Sequence, residues 1–273
     1  MPRIELSQIF IYPVKSLAGI SLESSVITPS GLRYDRRWMI VNEKGLFVTQ
    51  RLHPELSLIK TAIYQNYIQL TTPDDSTINL PLEITKGDVT PVRVWNDIVE
   101  GITAGPEHNR WISQYLGIDT KLVYMPETTI RLVDQEFAKS ADDRVSFADG
   151  FPFLLLSESS LDDLNFRLEG KDQPAITIHR FRPNLVVRGC HAYDEDNWPD
   201  FKIGNNRFHG VKPCSRCIMT TVDPSVGKKG TEPLKTLLEY RKNQNKAYFG
   251  QNILIDLGYK NTWKLKVGDS INI

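Results

Sequence analysis

The chain has 273 residues, 40% of them hydrophobic, with 33 basic residues against 33 acidic ones. At ~100–200 residues per domain this length allows one large domain or two, and the charge balance excludes a disordered tail or a nucleic-acid binder, so any anion site must be local. Met1 to Phe10 lacks the uninterrupted apolar run of a signal peptide and no stretch approaches the roughly 18 apolar residues of a membrane span, so a cytoplasmic protein without membrane or nucleic-acid partners is expected.

From Ile4 to about Ile102 the sequence reads as short β-rich runs, among them Ile9 to Val14, Trp38 to Val41, Leu56 to Ile63 and Val92 to Trp95. Breaks fall at Pro29-Ser30-Gly31, Glu43-Lys44-Gly45 and Pro73-Asp74-Asp75. No long helical pattern separates these runs, which points to a β-barrel or sandwich rather than to βαβ units. The first helix begins near Glu107: Trp111, Ile112, Tyr115 and Leu116 recur at helical spacing and Gly117 supplies the stop. A strand, Lys121 to Tyr124, follows. The segment Thr128 to Asp149 holds few apolar residues, and two domains are expected to divide near its start, residues 1–125 and 126–273.

Phe151 to Leu156 is too short for a buried helix and reads as an interior strand. Ser157 or Ser159 can cap a helix in which Leu161, Leu164 and Leu168 share a face and Gly170 ends it. Leu185 to Val187 is a strand, and Phe201 to Phe208 is a hairpin turning at Gly204-Asn205-Asn206, residues that tolerate positive φ. Thr231-Glu232-Pro233 opens a helix expected to run to about Lys242, and strands around Ile253 to Leu257 and Trp263 to Ile273 finish the chain. The architecture is therefore expected to be α+β and mainly β, with a few peripheral helices.

Three cysteines, Cys190, Cys214 and Cys217, are too few for a secreted disulfide framework. Cys214-Ser215-Arg216-Cys217 puts two soft ligands close together, expected in a turn beside Lys212 and Arg216, where cations lower a thiol pKa from about 8.5. Alone, this C-x-x-C leaves three readings open: a metal or catalytic thiol, two buried structural thiols, or a zinc site completed by Cys190 with His191 or His209. A second feature is basic: Lys15-Ser16, Arg36-Arg37, and Arg180, Arg182 and Arg188 in a segment, Ile176 to Cys190, without an acidic residue. Such groups suit phosphate, though each could equally be a solvated strand-end charge. No dinucleotide, P-loop, nucleophile-elbow or H-E-x-x-H motif occurs.

Taken together, Y-P-V-K-S at Tyr12 to Ser16, Y-D-R-R-W at Tyr34 to Trp38, F-R-P-N at Phe181 to Asn184, K-P-C-S-R-C-I-M-T-T-V-D-P at Lys212 to Pro224 and F-G-Q-N at Phe249 to Asn252 resemble the MOSC family of molybdenum-cofactor proteins. The likeness is to its amidoxime-reducing components and their bacterial counterparts, and runs from about Ile9 to the last residue. It implies an N-terminal β-barrel domain followed by a MOSC β-barrel domain. It implies Cys217 as the thiolate ligand of molybdenum and Lys15, Ser16, Arg36, Arg182, Asn184 and Ser215 as holders of the pterin and its phosphate, with Asn252 and Ser157 in matching segments. Cys214 matches a cysteine that is not the ligand. The activity implied is two-electron reduction of N-hydroxylated compounds such as hydroxylamino purines and amidoximes. Three cysteines cannot supply the four thiolates of a plant-type cluster, so a separate donor of ferredoxin, flavodoxin or cytochrome type is expected. A cofactor or sulfur carrier is the alternative.

Overall fold

The computed structural model describes residues 3–273. Eleven strands occupy the first half: β1 (Glu5–Ile11), β2 (Ile20–Leu22), β3 (Ser24–Thr28), β4 (Gly31–Leu32), β5 (Trp38–Asn42), β6 (Lys60–Ile63), β7 (Tyr67–Thr71), β8 (Thr77–Pro81), β9 (Val89–Val94), β10 (Asp97–Thr103) and β11 (Thr120–Tyr124). Helix α1 (Pro106–Leu116) precedes β11. The second half holds β12 (Phe153–Ser157), α2 (Glu158–Glu169), β13 (Leu185–Arg188), β14 (Asp200–Ile203), β15 (Asn206–Arg216), β16 (Val222–Asp223) and β17 (Lys228–Lys229). It ends with α3 (Leu234–Tyr240), β18 (Lys242–Asn243), β19 (Lys246–Ile255), β20 (Lys264–Lys266) and β21 (Ile271–Asn272). The protein is thus mainly β, with three α-helices among the described residues.

The largest sheet runs β2-β1-β13-β12-β19-β15-β14-β21 and curls as a half-barrel, with β18 attached to β19. Its inner face buries Leu6, Ile9, Phe153, Leu155, Leu185, Phe208 and Ile253. The chain therefore crosses the expected 125/126 division: β1 and β2 pair in the sheet of the second half, and β3 pairs β20. The rest of the first half forms the sheets β5-β11-β10-β9 and β6-β7-β8 around a core of Trp38, Ile40, Leu56, Ile68 and Leu122. No helix among the described residues is long and apolar enough to cross a membrane.

Several boundaries differ from the sequence expectation for local reasons. Pro13 stops β1 at Ile11, and Pro54 starts a short 3₁₀ turn, Pro54–Leu58, so that only Lys60–Ile63 remains of the longer strand expected there. Helix α3 covers Leu234–Tyr240 instead of reaching from Thr231 to Lys242, because Lys242 and Asn243 pair back onto β19 through a turn with Gln244 at φ 52°. Cys214 to Arg216 lie in β15, not in a turn; register shifts between Gly210 and Lys212 and between Pro213 and Ser215 bend that strand where the cysteines sit. The hairpin at Gly204-Asn205 and α1 with Gly117 in the left-handed region are as expected.

Candidate active site

One cavity lies where the two halves meet. Lys15, Ser16 and Arg36 reach it from the first half, and Arg182, Asn184, Ser215, Cys217 and Asn252 from the second. Ser157 does not: it is wholly buried and caps α2, its hydroxyl accepting from the Ser160 N–H at 3.1 Å while its own N–H donates to Glu195 Oε1 at 3.0 Å. A more open hollow beside α1, around Asn109, Ser113 and Asp119, holds none of the predicted site residues.

The floor is a stack around Tyr12. The guanidinium carbons of Arg36 and Arg182 lie 4.2 and 4.1 Å from the centre of its ring. Arg36 Nη1 donates to Asp35 Oδ2 at 2.7 Å and Asn184 Oδ1 at 3.0 Å, and its Nη2 donates to the Arg182 carbonyl at 3.1 Å. Arg182 Nη1 donates to the Leu17 carbonyl at 2.6 Å. Buried Asn184 ties the halves further, its Nδ2 donating to the Phe10 carbonyl at 3.2 Å. Burial, reinforced by Arg36, lowers the Arg182 guanidinium to about 10, so it stays charged at neutral pH; burial pushes the Tyr12 phenol up to about 12, so it stays neutral. Ser16, Arg36 and Arg182 have φ of 72°, 46° and 55°, left-handed conformations that cost about 1–3 kcal/mol each and collect where a site requires them.

Lys15 joins floor to mouth. Its backbone N–H donates to the Trp38 carbonyl at 2.8 Å, and its buried ammonium donates to the Phe147 carbonyl at 2.8 Å and Asp149 Oδ1 at 2.5 Å. Burial lowers Lys15 to about 8 despite that carboxylate. Confinement acts to raise the Asp149 carboxyl, but Lys15 and Arg51 overcome it and hold it well below the usual carboxylate range. Arg131 shapes this loop: Nη1 donates to the Ser146 and Ala148 carbonyls at 2.9 and 2.6 Å, and Nη2 to that of Asp149 at 2.7 Å.

At the mouth, Cys217 is exposed and Cys214 half-buried. Burial raises the Cys214 thiol, and Asp149 and Cys217 add to the rise while Arg216 opposes it. Cys217 is thus the more accessible of the two thiols. The zinc reading finds no support: no group of three or more His, Cys, Asp or Glu that could hold a metal ion occurs among the described residues. Cys190 lies outside the cavity with its thiol raised to about 11 by burial and Glu195, and His209 is taken up by Asp200 at 2.5 Å and Asp256 at 3.5 Å.

Lys15, Arg36, Arg51, Arg180, Arg182 and Arg216 make six cations lining the cavity, against one carboxylate, Asp149. In a chain of zero formal charge this is a local anion site. Arg182 Nη2 and Arg216 Nη2 are buried without a hydrogen-bond partner among the described residues, donors available to a ligand. Arg216 is otherwise fixed by the Phe249 carbonyl at 2.8 Å, and Arg180 by Asp223 at 2.8 Å. Arg180 and Arg216 stood out in the sequence as cations without being assigned to the cofactor site, whereas Arg51, Arg131 and Asp149 did not stand out. Arg216 stood inside the C-x-x-C itself; the last three carry no local signal.

Residues 3–119 match the MOSC N-terminal beta barrel domain and residues 142–272 the MOSC domain. Mitochondrial amidoxime-reducing component 1 of Homo sapiens is 35% identical over 97% of this chain and 82% of its own length, and component 2 of Bos taurus is 34% identical over the same shares. Molybdenum cofactor sulfurase of Arabidopsis thaliana is 34% identical over 99% of this chain but only 35% of its own length. With both domains matched in order and relatives alike over nearly the whole chain, this protein belongs to the MOSC family, in the group that contains the amidoxime-reducing components.

Proposed function

We propose that this protein is a molybdenum-cofactor-dependent reductase of N-hydroxylated compounds. The observation that carries the reading is the cavity itself: six cations, two of them with unpaired buried donors, face one carboxylate, and an accessible cysteine stands at the mouth. Apart from Arg51, which stands nearer the mouth, these residues fit an anionic cofactor with a thiolate-seeking metal. Lys15, Ser16, Arg36, Arg182 and Asn184 would hold the phosphate and pterin on the floor, Ser215 and Asn252 would flank it, and Cys217 would be the protein ligand of molybdenum. Bound there, the cofactor supplies the two-electron redox centre. The net reaction takes R–NHOH, two electrons and two protons to R–NH2 and water. The chain's own work is to orient both partners and keep the thiolate reachable. Electrons come from a separate redox protein.

A carrier of the cofactor or of sulfur is the second reading, favoured by the similarity of nearly the whole chain to part of a molybdenum cofactor sulfurase. Protein expressed with molybdate separates the two. The reductase predicts about one molybdenum per chain and steady turnover of an N-hydroxylated purine with a dithionite-reduced viologen, and none with NADH or NADPH alone. Cofactor content without repeated turnover supports the carrier. Robust activity with a pyridine nucleotide alone overturns the separate donor.

A further inference from the structure

Arg51 is placed unlike the other cations of the cavity. It lines the cavity with a side chain 20% exposed, yet among the described residues its guanidinium makes no hydrogen bond; the nearest carboxylate oxygen, Asp149 Oδ2, is 3.9 Å from Nη2. What holds it is an aromatic face: its guanidinium carbon is 4.4 Å from the centre of the Trp95 ring. Trp95 occupies the tip of the β9–β10 hairpin at φ 57°, a conformation that turns usually give to glycine or asparagine, and it is 44% exposed. Its ring is braced by Phe47 at 5.2 Å, and its indole N–H donates to Asp149 Oδ1 at 3.2 Å. Asp149 thus positions both Lys15 behind it and Trp95 in front.

Depth assigns this assembly to a different ligand from the floor. Lys15, Ser16 and Asn184 are 7%, 2% and 2% exposed, whereas Asp149 and Cys217, which line the same cavity, are exposed, as is Trp95, hydrogen-bonded to Asp149. A flat guanidinium with unused donors, backed by an indole and facing the same opening as the reactive cysteine, matches a conjugated planar molecule that carries an acceptor oxygen.

We propose that Arg51, laid flat by Trp95, is the residue that orients substrate and selects for planar, delocalised N-hydroxylated compounds: its free face stacks on their conjugated system. This rests on the reductase reading above. The test compares benzamidoxime with acetamidoxime, which share the reacting group and differ in the aromatic ring, on cofactor-loaded wild type, Arg51→Ala, Arg51→Lys and Trp95→Ala. Four quantities are read for each: pterin content, KM, kcat and the dissociation constant of benzamidoxime by equilibrium dialysis. Pterin content should match wild type. KM and the dialysis constant for benzamidoxime should rise about 10-fold or more in each variant, with kcat changed far less and with a smaller rise in KM for acetamidoxime. Arg51→Lys keeps the charge but not the plane, so it should behave like Arg51→Ala towards benzamidoxime. Loss of pterin in Arg51→Ala would make Arg51 a cofactor anchor and overturn the proposal, as would unchanged benzamidoxime binding in folded Arg51→Lys and Trp95→Ala. Failure of wild type to turn over either compound counts against the reductase reading, while dialysis still decides whether Arg51 and Trp95 take the planar ligand.

Discussion

On the cavity floor, Arg36 and Arg182 lie against Tyr12 while donating to Asp35, Asn184 and backbone carbonyls; at the mouth, the Arg51 guanidinium lies against Trp95 with no hydrogen bond among the described residues. Both regions stack a guanidinium on an aromatic ring, but they differ in what the donors do. Floor donors tie the two halves of the chain together and fix the cations before any ligand arrives, which is how a tightly held anionic group is best received. Mouth donors remain available, as exchange of one small molecule for another requires. In the proposed reductase, the difference would separate residues that hold the cofactor from residues that meet the substrate.

The largest effect is expected at the two cysteines. Cys217→Ala should abolish turnover, while Cys214→Ala, whose thiol burial keeps protonated, should leave a measurable fraction. Equal loss in two folded variants would indicate a dithiol. Next comes a contrast in stability between two cations. Arg36→Ala leaves Asp35, with a side chain 1% exposed, as an unpaired buried charge, so unfolding in urea should show a loss of about 3–5 kcal/mol. Lys15→Ala leaves Asp149, whose side chain is 58% exposed and can be hydrated, and should cost less than Arg36→Ala. Both should weaken cofactor retention, by roughly 10- to 150-fold for one charged hydrogen bond. Similar urea midpoints for the two variants would erase the proposed distinction between a floor cation paired with a buried carboxylate and one paired with an exposed carboxylate.

A smaller effect follows from the lowered Lys15 ammonium. Its value falls from 10.5 to about 8 on folding, so between those pH values the unfolded chain binds more protons and this group's contribution to stability grows as pH rises. Over the same window Lys15 loses the charge that clamps an anion. The rise in melting temperature produced by sulfate, whose charge is constant there, should be smaller at pH 9 than at pH 7, and Lys15→Met should remove the difference. An equal shift at both pH values in wild type would contradict it. The smallest effect is expected from Ser157→Ala: about 1 kcal/mol lost with the α2 cap, and pterin content unchanged. A loss of pterin would return Ser157 to the site.

What was legible in the sequence was local. The hairpin at Gly204-Asn205, α1 ending at Gly117 and the cap at Ser157 are set by neighbours a few residues away, and they formed where expected. Eight of the nine predicted site residues, all but Ser157, line one cavity. Hidden from the sequence was whatever depends on distant segments. β1 pairs β13 across more than half the chain, so a linear division could not show that the first strands complete the second sheet. Arg131 and Asp149 fall at the edges of a polar stretch read as little more than a connection. Their roles arise from carbonyls and an ammonium brought together only by folding. Trp95 closes a strand in sequence and becomes a hairpin tip in space.

The claim on which the account turns is that one floor, built from both halves, holds the cofactor independently of the thiol at the mouth. Pterin content per chain, measured in parallel for wild type, Cys217→Ala and the double variant Lys15→Ala/Arg182→Ala, tests it most directly. Pterin near the wild-type level is expected in Cys217→Ala, although turnover is gone, together with a nearly empty double variant that still folds. Full pterin in the double variant, or its loss in Cys217→Ala, would contradict it.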